Sequence, residues 1–174
     1  KLKTDFQKQV NIPYDFFKVS LHNKFEIRCS IFNIRYSNYM TEEIIIAGFG
    51  GQGVLSMGKI LAYSGVMQNK EVSWMPSYGP EMRGGTANVT VIISDERISS
   101  PILNSYDTAI ILNQQSMDKF EKTVKPGGLL IYDPNGITRF PERKDINIYS
   151  IEAADEAGRQ GLSKIFNMIV LGGF

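Results

Sequence analysis

Thiols and imidazoles are almost missing from this chain of 174 residues, which holds one cysteine, Cys29, and one histidine, His22. A single cysteine makes no internal disulfide, which fits a reducing compartment. No second Cys or His accompanies either residue, so this chain alone does not supply a Cys/His zinc site. A Ser–His–Asp hydrolase is excluded on the same count, and Gly-x-Ser-x-Gly is absent as well. No run of about 18 apolar residues occurs, so no helix is expected to span a membrane. The chain does not open with a basic segment, an apolar core and a small-residue cleavage site, so secretion is not expected and a cytoplasmic place is. Charge of either sign is not in excess: 19 Lys and Arg face 18 Asp and Glu, a net +1.

Glycine and alanine are missing altogether from residues 1–39, whereas all 16 glycines follow Met40. Lys, Asn, Phe, Ile and Tyr fill 21 of those 39 positions, and the stretch carries a net +4. A basic nucleic-acid arm would be more charged and less aromatic, so no nucleic-acid partner is expected. These are residue types that AT-rich codons encode, and the chain begins with Lys1, not Met. The expectation is that Met40 is the natural start and that residues 1–39 are a non-native or disordered leader. The alternatives are a genuine extension or the tail of a preceding fused subunit. At the other end, Leu171-Gly172-Gly173-Phe174 follows an apolar run directly, and a missing C-terminal portion is expected.

What is there, after Met40, alternates between strand and helix signals. Ile44-Ile45-Ile46-Ala47 is a continuous apolar run of the kind a strand buried on both faces needs. A glycine-rich turn spans Gly48 to Gly53. Val54, Met57, Leu61 and Gly65 then recur at helical spacing and predict a helix from Val54 to about Asn69. A short strand is expected near Glu71–Trp74, and Pro76 to Gly85 reads as a loop. Ala87 to Ser94 is a β-branched strand, Ile98 to Pro101 a turn, and Thr108 to Leu112 a buried strand. A helix from about Gln114 to Val124 is expected to stop at Lys125-Pro126-Gly127-Gly128. Leu129–Tyr132 and Ile146–Ile151 are further strands, with a helix from about Ala153. This order predicts an α/β domain over residues 40–174. Its expected form is a three-layer α/β/α arrangement on a mostly parallel sheet, with a Rossmann-like first βαβ unit.

Gly48-Phe49-Gly50-Gly51-Gln52-Gly53 satisfies G-x-G-x-x-G between a strand and a helix. Glycines there permit positive φ and let backbone N–H groups approach a ligand. The helix start favours an anion such as a phosphate. The acidic residue a dinucleotide fold carries at the end of its second strand is not in place, because Glu71 falls at the start of that strand. A bound anion and an unliganded tight turn both remain open readings. The segment Tyr78-Gly79-Pro80-Glu81-Met82-Arg83-Gly84-Gly85 sets a Glu and an Arg two apart between Gly and Pro. Arg83 is suited to grip a carboxylate or phosphate with two prongs, and Glu81 to position it or reach a partner. The plainer alternative is a surface ion pair worth about 0–1 kcal/mol.

Taken together, Gly48–Val54 after a strand and Pro76–Ala87 resemble the γ-subunit family of 2-oxoacid:ferredoxin oxidoreductases. Ser94-Asp95 and Ile98 to Pro101 are similar to that family too, and the resemblance covers about Glu42 to Phe174. It implies an enzyme that decarboxylates a 2-oxoacid on thiamine diphosphate with Mg, passes two electrons through [4Fe–4S] clusters to ferredoxin, and releases an acyl-CoA. It implies that this chain is not catalytic alone. One cysteine does not ligate a cluster of about four thiolates, and the Gly-Asp-Gly…Asn signature for thiamine diphosphate is absent. Those centres would lie on α and β (thiamine-binding) and δ (ferredoxin-like) subunits. The implied role is to buttress them and to help form a coenzyme A or substrate channel. Gly48, Gly50, Gly51, Gln52, Gly53, Tyr78, Glu81, Arg83, Gly84 and Gly85 are the expected cofactor contacts, with Trp74 and Tyr78 as walls. The expected substrate is 2-oxoglutarate. The competing expectations are a stand-alone Rossmann-type nucleotide-binding oxidoreductase and a purely structural scaffold subunit.

Overall fold

The computed structural model describes residues 40–78 and 86–174. The leader expected over residues 1–39 therefore lies outside the described residues, as do His22 and Cys29.

The apolar run becomes β1, Thr41–Phe49. Ile44, Ile45, Ile46 and Ala47 are each no more than 1% exposed, so the strand is covered on both faces. It leads into helix α1, Val54–Met67, and the edge strand β2, Glu71–Tyr78. Then come β3, Thr86–Ser94, β4, Tyr106–Ile111, and helix α2, Gln114–Phe120. A tightened 3-10 turn, Glu121–Thr123, precedes β5, Val124–Tyr132. The chain continues through β6, Asn147–Ser150, α3, Ala153–Arg159, and α4, Phe166–Gly173.

The six strands form one mixed sheet in the order β2-β3-β1-β4-β5-β6. β1, β4, β5 and β6 run parallel, while β3 pairs antiparallel with both β1 and β2. The first βαβ unit is present, but β3 is slotted between its two parallel strands. Alternation along β1 splits the core in two. Ile44 and Ile46 pack with Val54 and Met57 of α1, Ala153 of α3 and Val170 of α4. Ile45 and Ala47 pack with Met117 and Phe120 of α2, together with Ile137 and Ile146. Helices on both faces make the three-layer arrangement. At Gly58 and Gly65, α1 lies close on the sheet: a Cβ would come within 2.6 Å of Val89 and 2.8 Å of Val72.

Two expectations are corrected. Pro76 to Tyr78, read as loop, continue β2 and pair with Val89, Asn88 and Ala87. β2 is an edge strand, where a proline's missing N–H leaves no ladder bond unmade. Lys125-Pro126-Gly127-Gly128 does not follow the helix as a separate stop but lies inside β5 as a bulge. Pairing with β4 jumps there from Tyr106↔Val124 to Thr108↔Leu129, and Gly127 takes φ +79°.

Candidate functional site

Parallel strands end at a common edge, and here that edge gathers the loops after β1, β4, β5 and β6. α1 leaves β1 toward one face of the sheet, and α2 leaves the neighbouring β4 toward the other. The two loops diverge at the place where α/β proteins hold ligands. The glycine turn stands on one side of that place and Leu112–Gln114 on the other.

The turn's shape follows from its residues. Gly51 has φ +100° and Gly53 φ +80°, both in the left-handed region that favours glycine. Gln52 holds the turn closed: its Oε1 accepts from the Phe49 N–H at 2.6 Å, and its Nε2 donates to the Leu112 carbonyl at 3.3 Å. Gly48 leaves room for that amide, since a Cβ there would lie 2.5 Å from Gln52 Oε1. Gln52 thus fixes the turn by fastening β1's loop to β4's. The tip, Phe49 to Gly51, is exposed, and a Cβ on Gly51 would meet nothing within 4 Å. Gly53 caps α1 without a side chain, and no acid stands in the helix's first turn. The N–H groups and positive end of a 14-residue helix are therefore not offset by a local carboxylate. Asn167 of α4 flanks this start, within 2.6 Å of where a Gly53 Cβ would be.

The structure brings the two motifs together by register. Gly48 pairs with Ala87 and Phe49 with Thr86, while Tyr78 pairs with Ala87 from the other side. Both stems of the connection between β2 and β3 thus rise beside the glycine turn. Glu81, Arg83, Gly84 and Gly85 lie outside the described residues. Trp74 stands elsewhere: it pairs with Val91, four residues back along β2 from Tyr78. That is about 13 Å along the strand, and its indole lies against Gly58 beneath α1.

Three residues at this edge carry no sequence signal that distinguished them. Asn113, fully buried, caps α2 by accepting the Ser116 N–H at 2.8 Å. Its Nδ2 and the Ser116 hydroxyl are buried without a hydrogen-bond partner. Asp133, also buried, accepts from the Asn135 and Ala154 N–H groups, tying β5's end to the start of α3. An Asn before a helical pattern is a cap signal, but nothing marked its free amide as a site group.

At the opposite edge Glu42, Glu43 and Asp107 gather around the single ammonium of Lys125. Lys125 Nζ bonds Glu43 and Asp107, each at 2.7 Å. Burial would lower its ammonium, but those two bonds hold it above its usual range. Burial pushes the Glu42 carboxyl up, opposed by the Thr108 hydroxyl, which donates to it at 2.6 Å. Among the described residues no three of His, Cys, Asp and Glu are grouped to hold a metal ion.

Residues 43–174 match the family described as pyruvate ferredoxin/flavodoxin oxidoreductase. The chain belongs to that family. It is 40% identical over 127 residues to ketoisovalerate oxidoreductase subunit VorA of Methanothermobacter marburgensis, covering 73% of this chain and 26% of that one. With 2-oxoglutarate synthase subunit KorC of Methanocaldococcus jannaschii it shares 36% identity over 137 residues, 76% of this chain and 73% of the other. The chain spans about a quarter to a third of the length of the VorA relatives it matches. Two solved structures are similar. The keto/oxoacid ferredoxin oxidoreductase γ subunit of Geobacter sulfurreducens has a TM-score of 0.66 and 29% identity, over 76% of this chain and 73% of that one. The 2-oxoglutarate:ferredoxin oxidoreductase of Magnetococcus marinus, solved with 2-oxoglutarate, coenzyme A and succinyl-CoA bound, has a TM-score of 0.67 and 25% identity, over 74% of this chain and 23% of that one. No helix among the described residues is long and apolar enough to cross a membrane.

Proposed function

We propose that this chain is the γ component of a multisubunit, cytoplasmic 2-oxoacid:ferredoxin oxidoreductase, and that its glycine edge helps bind coenzyme A. The observation that carries the reading is the family match over residues 43–174, with both family motifs flanking one edge of the sheet. An uncapped helix start with open space over Gly51 suits a phosphate. Arg83 supplies the cation and Glu81 positions it or meets a neighbouring subunit. One cysteine does not fit the thiolate set of a [4Fe–4S] cluster. The clusters, and thiamine diphosphate with its Mg, are therefore assigned to α, β and δ partners, which together decarboxylate the oxoacid and reduce ferredoxin. In the purified complex, Arg83→Ala is expected to raise the coenzyme A KM about tenfold, as loss of a charge-assisted bond does, with assembly retained. Unchanged KM values for coenzyme A and oxoacid overturn the assignment.

The oxoacid is proposed to be 2-oxoglutarate, supported by the KorC relatives, of which this chain covers nearly three quarters. A branched-chain oxoacid is the second reading, favoured by the 40% identity to VorA. Comparing kcat/KM for 2-oxoglutarate and 3-methyl-2-oxobutanoate on the complex separates the two. Peptide mapping of the native protein tests the proposed start at Met40. The alignment to VorA of Methanothermobacter thermautotrophicus covers 91% of the chain, more than residues 40–174 comprise, and so reaches into the proposed leader.

A further inference from the structure

A surface helix usually turns an apolar stripe inward and charged residues outward. α1 has apolar residues on both sides. Inward, Val54, Met57, Gly58 and Gly65 are buried against the sheet. Outward, Ile60, Tyr63 and Met67 follow Ser56 at steps of four, three and four residues, so all four line one stripe of the solvent face. Tyr63 is 60% exposed, Met67 73%, and Val66 beside them 57%. The helix carries one charged residue, Lys59, whose ammonium lies 5.8 Å from the Tyr63 ring centre. Four-three-four spacing is the seam along which two helices interlock.

We infer that this outer stripe of α1 is the docking face for a helix of a partner domain of the oxidoreductase. The occupant is the kind of polypeptide that the longer relatives carry in the same chain. In VorA and in the Magnetococcus enzyme the matched region is only 23–33% of the polypeptide. A domain built to live beside two or three times its own length of further protein needs a face to meet it. The partner seam is apolar, with a carboxylate opposite Lys59. A second copy of this chain fits less well, because α1 has no acid to receive Lys59. The inference rests on the function proposed above.

The test uses the full chain co-expressed with the subunits encoded beside it. Tyr63→Glu/Met67→Glu is expected to weaken co-purification at least about 30-fold, the loss typical of central interface residues. The isolated variant should melt with the wild type, since both side chains face solvent. Tyr63→Phe/Met67→Leu should assemble normally. Equal assembly of the Glu variant overturns the face. So does a wild-type homodimer in gel filtration that the Glu substitutions split, since it makes a second copy the occupant. Failure of the wild type to co-purify with any such subunit sinks the function itself, a distinct result.

Discussion

At its first residues β1 enters a network in which Lys125 binds Glu43 and Asp107 and the Thr108 hydroxyl donates to Glu42, whereas Gly48 to Gly53 carry no charged side chain of their own. The first end binds its one cation to two of its three acids. The second has donors without acceptors among the described residues: the start of α1 and, wholly buried, the Asn113 amide and the Ser116 hydroxyl. Half-buried charge that is paired across strands ties them together, whereas unmatched donors suit an acceptor from outside. The contrast supports the proposal that one edge is structural and the other binds a ligand.

Three substitutions break or sharpen that contrast. The largest effect is expected for Gly53→Val, which forces a β-branched residue to φ +80° and into Asn167. Stability should fall by about 3 kcal/mol, or roughly 10 °C in the melting temperature, and coenzyme A affinity should fall with it. A variant that melts normally would show that the turn is not held in its left-handed form. Asn113→Asp comes next. Asp preserves the cap on Ser116 but turns the free donor into an acceptor. Because the site is fully buried the new carboxylate is costly, so Asn113→Asp should melt several degrees below the wild type, while Asn113→Ala loses about 1 kcal/mol. In the complex the coenzyme A KM should rise about fivefold; no rise would reduce Asn113 to a cap. The smallest effect belongs to the charged edge. Glu42 is raised because burial disfavours its ionised form. The folded state therefore binds this proton more readily than the unfolded chain, and stability is lost as pH climbs through the raised value. Glu42→Gln should melt slightly above the wild type at pH 7, and the gap should close as pH falls toward the ordinary carboxylate range. A gap of the same size at pH 4 would mean that ionisation is not its source.

How much of this was legible beforehand depended on range. Ile44–Ala47, the Val54 helix and the Ala87–Ser94 strand declare themselves through spacing and β-branching, and each stands where the pattern put it. The three-layer plan followed from their order. Pro76–Tyr78 were misread because proline signals a loop locally, and only the sheet order reveals an edge where it does no harm. The Lys125–Gly128 punctuation was misplaced for a similar reason: a bulge with Gly127 at positive φ uses the same residues as a helix stop. In the turn, Gly51 and Gly53 were readable because positive φ demands them. Asn113 was not, because its significance lies in an amide that tertiary packing leaves without a partner. The outward stripe of α1 was hidden for yet another reason, since Ile60, Tyr63 and Met67 look like ordinary core residues until the helix is seated on the sheet.

The strand that β3 inserts beside β1 also has a consequence during synthesis. Thr41 finds its antiparallel neighbour at Ser94, 53 residues downstream, and β4, the parallel neighbour of Ile44–Ala47, begins later still. At roughly 5–20 residues per second, a nascent chain carries the isoleucine run unpaired for on the order of 3–10 seconds after it is made. During that interval the segment is an apolar, strand-forming ribbon of the kind that aggregates when left uncovered.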